Sequence, residues 1–195
     1  MNNPLILTEP NIPKPLHGLN PRSILGKEWW DFERRKSYAK NNDHCYACGC
    51  HKSQDKFHNW LEGHESYSID YKKGSAELKE IIALCHSCHN FIHSGRLLIL
   101  WRKGEATTEK ALYILKRGFY ILKKNNLSPF WGSCVAFMEI SNREGDGELT
   151  DRILHLEMEQ SNDMNQKWSD WHITIDGNKY YSKFKSAKEH RSFYT

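Results

Sequence analysis

The sequence has no run of about 18 consecutive apolar residues, which is the length that a helix needs to cross a bilayer. Its first residues, MNNPLILTEPN, have neither the basic start nor the long apolar stretch of a secretory signal. Internal repeats and low-complexity segments are also absent. These absences argue against a membrane protein, a secreted protein and a repeat array. They predict a cytoplasmic protein that makes no contact with a membrane.

Proline is scarce beyond residue 21, since five of the six prolines lie up to that point and only Pro129 follows. Proline fixes φ and removes a backbone donor, so residues 1–24 are expected to form an extended arm. Beyond the arm, the sequence predicts a helix over 25–40. Apolar residues at helical spacing predict another over 107–124, and the segment 130–140 is expected to form a helix that packs on it.

The last third of the chain has two patterns. Residues 141–166 are polar and acidic, and they predict a loop with a short helix around LTDRILHLEM. Residues 171–184, WHITIDGNKYYSKF, alternate between apolar and polar side chains, which predicts a β-hairpin that turns at Asp176-Gly177. A short helical tail is expected after the hairpin.

Charge is unevenly distributed along the chain, although the net charge of +4 is small. Residues 101–125 contain seven lysines and arginines against two glutamates, whereas residues 139–170 contain nine acidic and three basic side chains. Basic regions of this kind can contact the phosphates of a nucleic acid. For any single lysine, a solvated helix face is the alternative interpretation.

Four of the six cysteines form two C-x-x-C pairs, Cys45 with Cys48 and Cys85 with Cys88. In a cytoplasmic chain this spacing favours a metal site over disulfides. Four thiolates complete a tetrahedral structural zinc site, which leaves no open position for chemistry. Thirty-six residues separate Cys48 from Cys85, more than in a simple zinc ribbon, so another element is inserted between the pairs. Cys50 is interpreted as a bystander.

A second set of metal ligands remains once the cysteines are assigned. His89 and His93 are four residues apart, so they share one face of a helix that begins near Cys88. His64 lies in a predicted strand, NWLEGHESY, and a second strand, LKEIIALC, leads back to the helix. The order strand, strand, helix with three histidine ligands predicts a second metal site.

Three neighbours of these histidines are expected to lie outside the site. Glu62 is expected to point away from His64 or to lie at the surface. His86 is expected to face solvent, and His58 has no evident partner in the sequence.

The segments CYACG, LEGHE and LCHSCHNFIH resemble the HNH, or His-Me finger, endonucleases in which a four-cysteine zinc site braces the metal finger. The resemblance covers residues 44–95, about a quarter of the chain, and many such proteins are encoded by phages. It implies an α+β fold with a ββα-metal finger, flanked by helices and the C-terminal hairpin. It also implies metal-dependent hydrolysis of DNA phosphodiester bonds, in the host cytoplasm if the chain is phage-encoded.

Carried over by position, the resemblance implies that His64, His89 and His93 hold a catalytic ion, which would be Mg²⁺, Mn²⁺, Ni²⁺ or Zn²⁺. The predicted catalytic residues are His64, Glu65 and His89. The family normally has a histidine as general base where this chain has Glu65. Its middle asparagine, which orients that base, has no counterpart near residues 79–80.

Double-stranded DNA is the expected partner. An alternative is a zinc-braced HNH-like module that has lost catalysis and binds nucleic acid or a host protein. A transcription regulator with a four-cysteine ribbon is a third interpretation, but it leaves the three histidines unexplained. The predicted phosphate contacts flank the site in sequence: Lys72, Lys73, Arg96, Arg102 and Lys103.

The predicted organisation has four parts. After the arm, residues 25–100 form the zinc-braced HNH-like domain with its lead-in helix, and residues 101–140 give helical support. Residues 141–195 supply the acidic loop and the C-terminal hairpin extension.

Overall fold

The computed structural model describes residues 2–10, 12–142 and 166–194. Within these ranges the fold is α+β, with six α-helices and one four-stranded sheet. None of these helices is long and apolar enough to cross a bilayer. The elements are α1 (Pro21–Lys40), β1 (Glu62–Asp70), β2 (Ser75–Leu84), α2 (His86–Ile92), α3 (Ser94–Arg102), α4 (Thr108–Lys124), α5 (Trp131–Ser141), β3 (His172–Ile175), β4 (Asn178–Tyr181) and α6 (Ala187–Tyr194).

The chain divides into two compact units. The first comprises Met1–Asn11, Ser37–His64 and Ile82–Glu157, and the second comprises Ile12–Lys36, Glu65–Ile81 and Met158–Thr195. Both units are built from separate stretches of sequence, so neither follows the linear order of the chain. The four-part division made from the sequence stays a prediction.

The core of the first unit forms around α2, where it packs on α4. Phe91 of α2 is buried and lies directly over Gly118 of α4. A Cβ at Gly118 would come within 2.1 Å of the Phe91 ring, so only glycine allows the two helices to approach this closely. Gly118 is unfavourable for helix propensity, and this contact explains its place in the middle of α4.

The four strands form one sheet in the order β1-β2-β3-β4, and β3 and β4 belong to the second unit. The predicted hairpin is confirmed: β3 and β4 pair antiparallel, and Asp176 and Gly177 turn the chain with φ values of 49° and 80°. Its place in the sheet was not predicted. β3 runs parallel to β2, with Ser75 opposite His172, and Trp171 and Ile173 are fully buried beside it.

Three helix predictions are confirmed, with shifts at the ends. α4 begins after Thr107, whose side chain accepts a hydrogen bond from the backbone N–H of Lys110, and α5 follows Pro129 as expected. α1 begins four residues earlier than predicted and is kinked at Gly26, which has φ 90°. The sequence analysis missed α3, and the expected short helix around LTDRILHLEM lies outside the described residues.

The proline-rich segment differs from the extended arm that its composition predicts. Short 3-10 helices form at Pro4–Thr8 and Lys14–Leu16, each with a proline in the first turn, where no backbone donor is needed. Several apolar residues between the prolines are buried, among them Leu7 in the first unit and Leu16 in the second, whereas Leu5 is exposed. Burial of these side chains holds the segment against the protein.

Candidate metal centre

The four cysteines of the two C-x-x-C pairs come together in the first unit. One sulfur from each of Cys45, Cys48, Cys85 and Cys88 lies within 4.8 Å of the other three, so the cluster could hold a metal ion. The first pair sits in a tight turn in which the N–H of Gly49 donates to the carbonyl of Cys45 at 2.9 Å. Gly49 has φ 73°, which favours glycine at this position.

Two further groups lie beside the sulfurs. A guanidinium nitrogen of Arg117 is 3.6 Å from the Cys48 sulfur, where its charge favours a thiolate. The sulfur of Cys50 is 3.3 Å from that of Cys48, but Cys50 does not belong to the compact set of four. The cluster is therefore a closed set of four donors with a cation at its edge.

Helix α2 carries ligands of the cysteine cluster and of the histidine cluster described next. Asp55 fixes its start, because one carboxylate oxygen accepts from the backbone N–H of Ser87 at 3.3 Å and from its hydroxyl at 3.0 Å. Such a cap satisfies a backbone donor that the first turn leaves free. Cys85 precedes the helix and His93 follows it, so one short element positions both sets of side chains.

The three predicted histidines also come together in the first unit. One ring nitrogen of each of His64, His89 and His93 lies within 4.8 Å of the other two. The ring centroids are 4.7 Å apart for His89 and His93, and 5.0 Å for His64 and His93. His64 comes from β1, whereas the other two come from successive turns of α2 and its C-cap.

The histidine cluster fits a metal ion on chemical grounds. Nδ1 of His64 is buried and has no hydrogen-bond partner among the described residues, which is costly unless a ligand satisfies it. Burial lowers the pKa of His64 well below its usual value, and the neighbouring His93 and His89 lower it further. Burial likewise lowers the pKa of His93 to about 4. Both imidazoles are therefore neutral at pH 7, the form that binds a metal.

Two carboxylates lie beside the histidines, and the sequence analysis identified neither as part of the site. An oxygen of Glu9 is 4.0 Å from Nε2 of His64, which is within ion-pair range but too long for a hydrogen bond. An oxygen of Glu62 is 2.5 Å from Nδ1 of His89, without the alignment of a hydrogen bond. This contact leaves Nε2 of His89 available for an ion, an arrangement common at metal sites.

Glu62 also differs from its expected orientation. Residues two apart in a strand share a face, so Glu62 lies on the same side of β1 as His64 and reaches α2. Burial opposes the charged form of Glu62, but the contacts with His86 and His89 outweigh it and hold its pKa below the usual value. Glu62 is therefore a half-buried carboxylate anion.

Glu65, the predicted general base, follows His64 directly along β1. Adjacent residues of a strand point to opposite faces, which puts Glu65 on the face that carries Tyr67. The charge of Glu65 adds to the effect of burial, which raises the pKa of Tyr67 above its usual value. A catalytic role for Glu65 stays a prediction, and the strand alternation favours a different carboxylate beside His64.

The predicted phosphate contacts have different surroundings. Arg96 is exposed, and its charge adds to the lowering of the His93 pKa, so it lies close to the histidine cluster. Arg102 forms an ion pair with the buried carboxylate of Glu139, with two contacts of 2.6 Å. Lys103 is exposed at the end of α3. Lys72 and Lys73 lie in the second unit, where Lys73 pairs with Asp70 at 3.2 Å.

His58 and His86 also differ from expectation, because they form a third group with Glu62. One potential ligand atom from each of the three lies within 4.8 Å of the other two. The sequence did carry a signal for His86, since residues 86, 89 and 93 share one helix face at spacings of three and four. His58 had none, because it lies in an irregular segment.

No protein-family model, curated protein or solved structure matches this chain.

Proposed function

We propose that the protein is a metal-dependent endonuclease of the HNH type that hydrolyses DNA phosphodiester bonds. The observation that carries the proposal is the cluster of His64, His89 and His93, in which a buried ring nitrogen of His64 lacks a partner in the described part of the chain. His64 comes from β1, and His89 and His93 come from α2 and its C-cap, with β2 between them in the sequence; this order of elements supports a ββα-metal finger. The four-cysteine cluster beside it supports the resemblance to zinc-braced members of that class.

We assign zinc to the cysteine cluster. Four thiolates are the donor set of structural zinc, and the tight turn at Gly49 brings the first pair of sulfurs together. The cluster joins the segment at 45–48 to the start of α2. Its role in this proposal is to fix α2, so that His89 and His93 face His64.

The histidine cluster provides three imidazole donors, which would leave one position of a four-coordinate ion open. A divalent ion bound there would act as a Lewis acid and stabilise the charge that develops during phosphodiester cleavage. His64, His89 and His93 hold that ion, and Glu62 orients the His89 ring through Nδ1. Imidazole donors suit Zn²⁺ and Ni²⁺, whereas Mn²⁺ and Mg²⁺ prefer oxygen donors and are the remaining candidates.

Two carboxylates are candidates for the base that deprotonates water. Glu65 occupies the sequence position of the family's base histidine, whereas Glu9 lies 4.0 Å from Nε2 of His64. Glu9 contacts the ring nitrogen opposite the unpartnered Nδ1, so with an ion at Nδ1 it would orient the His64 ring, whereas a base must reach the proton that it abstracts. Both glutamates are therefore tested as the base, and Arg96 is the cation proposed to contact the substrate phosphate.

The test is a plasmid-nicking assay of the full chain with Mg²⁺, Mn²⁺, Ni²⁺ or Zn²⁺ added singly. Wild type is compared with His64→Ala, Glu9→Gln and Glu65→Gln, and His172→Ala serves as a control histidine outside the clusters. We expect metal-dependent nicking that is lost in His64→Ala and in the glutamate variant that removes the base, and that is retained in His172→Ala.

Each outcome decides an assignment. Loss in Glu65→Gln but not in Glu9→Gln would identify Glu65 as the base, and the reverse would identify Glu9. Absence of cleavage with every metal, in a folded chain that contains zinc, would contradict the proposed endonuclease activity. It would support a module that binds nucleic acid or a host protein through the same fold.

A further inference from the structure

A second group of potential ligands lies next to the three histidines but shares none of them. His58 follows the 3-10 helix at Lys52–Gln54, Glu62 opens β1 and His86 opens α2. The rings of His58 and His86 are nearly perpendicular, with centroids 4.1 Å apart. Three separate segments of the first unit thus direct one nitrogen or oxygen donor each toward a common point.

The side chains of this group are held in place by their neighbours. Nδ1 of His86 donates to Glu62 at 2.6 Å. The amide of Asn90 donates to the backbone carbonyl of His86 at 2.9 Å and lies 3.2 Å from its ring. Phe57 contacts the His86 ring edge-on, and Trp60 packs against His58 with centroids 4.1 Å apart. A site that is ordered in advance loses little conformational entropy when it binds a ligand.

The donor types suit a transition-metal ion. Two imidazoles and one carboxylate form the protein ligand set of several zinc enzymes, with a further position open to solvent. The three residues are only partly buried, so an ion can reach them. Nδ1 of His86 and an oxygen of Glu62 lie 2.6 Å apart, so one ion can bind both atoms in place of the hydrogen bond between them.

We infer that His58, Glu62 and His86 form a second binding site for a divalent ion of the zinc class, separate from the three-histidine site. Glu62 belongs to this site through one carboxylate oxygen and contacts His89 through the other. A single carboxylate therefore connects the two sites. The inference does not depend on nuclease activity, since it rests only on the donors and their distances.

The test is a count of bound ions in the full chain. Each variant is saturated with Co²⁺, freed of excess ion on a desalting column, and analysed for total metal and for the visible absorption of the bound cobalt. Samples made with Zn²⁺ are counted in parallel by elemental analysis. The variants are His58→Ala, His86→Gln, His64→Ala and the pair His58→Ala/His64→Ala, with His172→Ala as control.

We expect His58→Ala and His86→Gln each to bind about one ion fewer per chain than wild type and the control. His64→Ala should also lose about one ion, and the pair should lose about two, because the sites are separate. The His58→Ala and His64→Ala samples should lack different parts of the cobalt spectrum. Unchanged stoichiometry in a folded His58→Ala chain would overturn the inference.

A second result would also overturn it. If the pair loses no more metal than His64→Ala alone, all the histidines serve one ion, and His58 and His86 only pack around it. His86→Gln keeps a polar side chain beside Cys85 and Cys88. It therefore serves as the folded alternative should His58→Ala perturb the packing with Trp60.

Discussion

The four-cysteine cluster and the three-histidine cluster use the same short helix but offer an ion different surroundings. α2 supplies Cys88 and His89 from adjacent positions, one to each cluster. Three of the four cysteines are buried, and the guanidinium of Arg117 lies beside them, with Asp55 at Cys85. Of the histidines only His64 is fully buried, and the carboxylates of Glu9 and Glu62 lie beside the cluster, with Arg96 near His93.

The contrast separates a structural site from a site with room for chemistry. Four sulfurs satisfy an ion completely and exclude substrate, whereas three imidazoles leave a coordination position open. A cation beside thiolates balances their charge. Carboxylates beside imidazoles instead orient the rings and can accept protons. Under the proposed function, the first arrangement would stabilise the fold, and the second would suit a reaction at an oxygen of a phosphate.

The largest effect is expected from removing the four-cysteine site. Cys85→Ser/Cys88→Ser should abolish zinc binding and unfold the first unit, because structural zinc contributes about 10 kcal/mol or more and the whole protein is stable by about 5–15 kcal/mol. Zinc content and thermal unfolding of the full chain measure this. Cys134→Ser, in α5 and outside the cluster, is the matched control. A double variant that keeps its zinc and its melting temperature would remove the structural assignment.

Removing the three-histidine site should leave the fold intact. His89→Ala/His93→Ala is expected to lose about one divalent ion per chain, keep the thiolate-bound zinc, and lose nicking activity by about 10³-fold or more, since a catalytic ion contributes several kcal/mol. Metal analysis, circular dichroism and the nicking assay together measure these changes, with His172→Ala as control. If this variant unfolded as readily as the cysteine variant, the proposed division of roles would be wrong.

A substitution far from either set of donors should weaken both clusters, because α2 carries both. Gly118→Ala puts a methyl group against the ring of Phe91 and should reduce the free energy of unfolding by about 1–3 kcal/mol. The apparent affinity for both ions should fall with it. Gly95→Ala is the matched control, since a Cβ there meets nothing within 4 Å in the described structure and removes a glycine from α3. It should stabilise by about 0.5–1 kcal/mol.

Chemical denaturation of the two glycine variants checks this prediction, together with competition for zinc by a chromophoric chelator. Equal stability of Gly118→Ala and wild type would mean that the contact between α2 and α4 does not control the position of the helix.

The sequence predicted the donors of both clusters because their spacing has a direct geometric meaning. C-x-x-C places two sulfurs in one turn, and residues 89 and 93 share a helix face whatever surrounds them. The amphipathic pattern of α4 and the Asp-Gly turn of the hairpin were predictable for the same reason. In each case a few adjacent residues determine the local geometry.

The residues that were missed depend on contacts between distant segments. Glu9 is separated from His64 by more than 50 positions, and His58 lies in an irregular segment whose direction no period reveals. The parallel pairing of β3 with β2 likewise joins strands about 100 residues apart, which local patterns do not specify. Glu62 and His86 were different, since strand alternation and helix spacing would have placed both correctly.

The smallest effect is expected at the edge of the histidine cluster. Arg96→Ala should weaken DNA binding a few-fold and lower the salt dependence of binding by about one unit, as expected for the loss of one phosphate contact. Metal content and stability should not change, since Arg96 is exposed. Salt titrations of binding to a labelled duplex measure the slope, with Arg35→Ala, an exposed arginine of the second unit, as control. An unchanged slope would exclude Arg96 from the DNA interface.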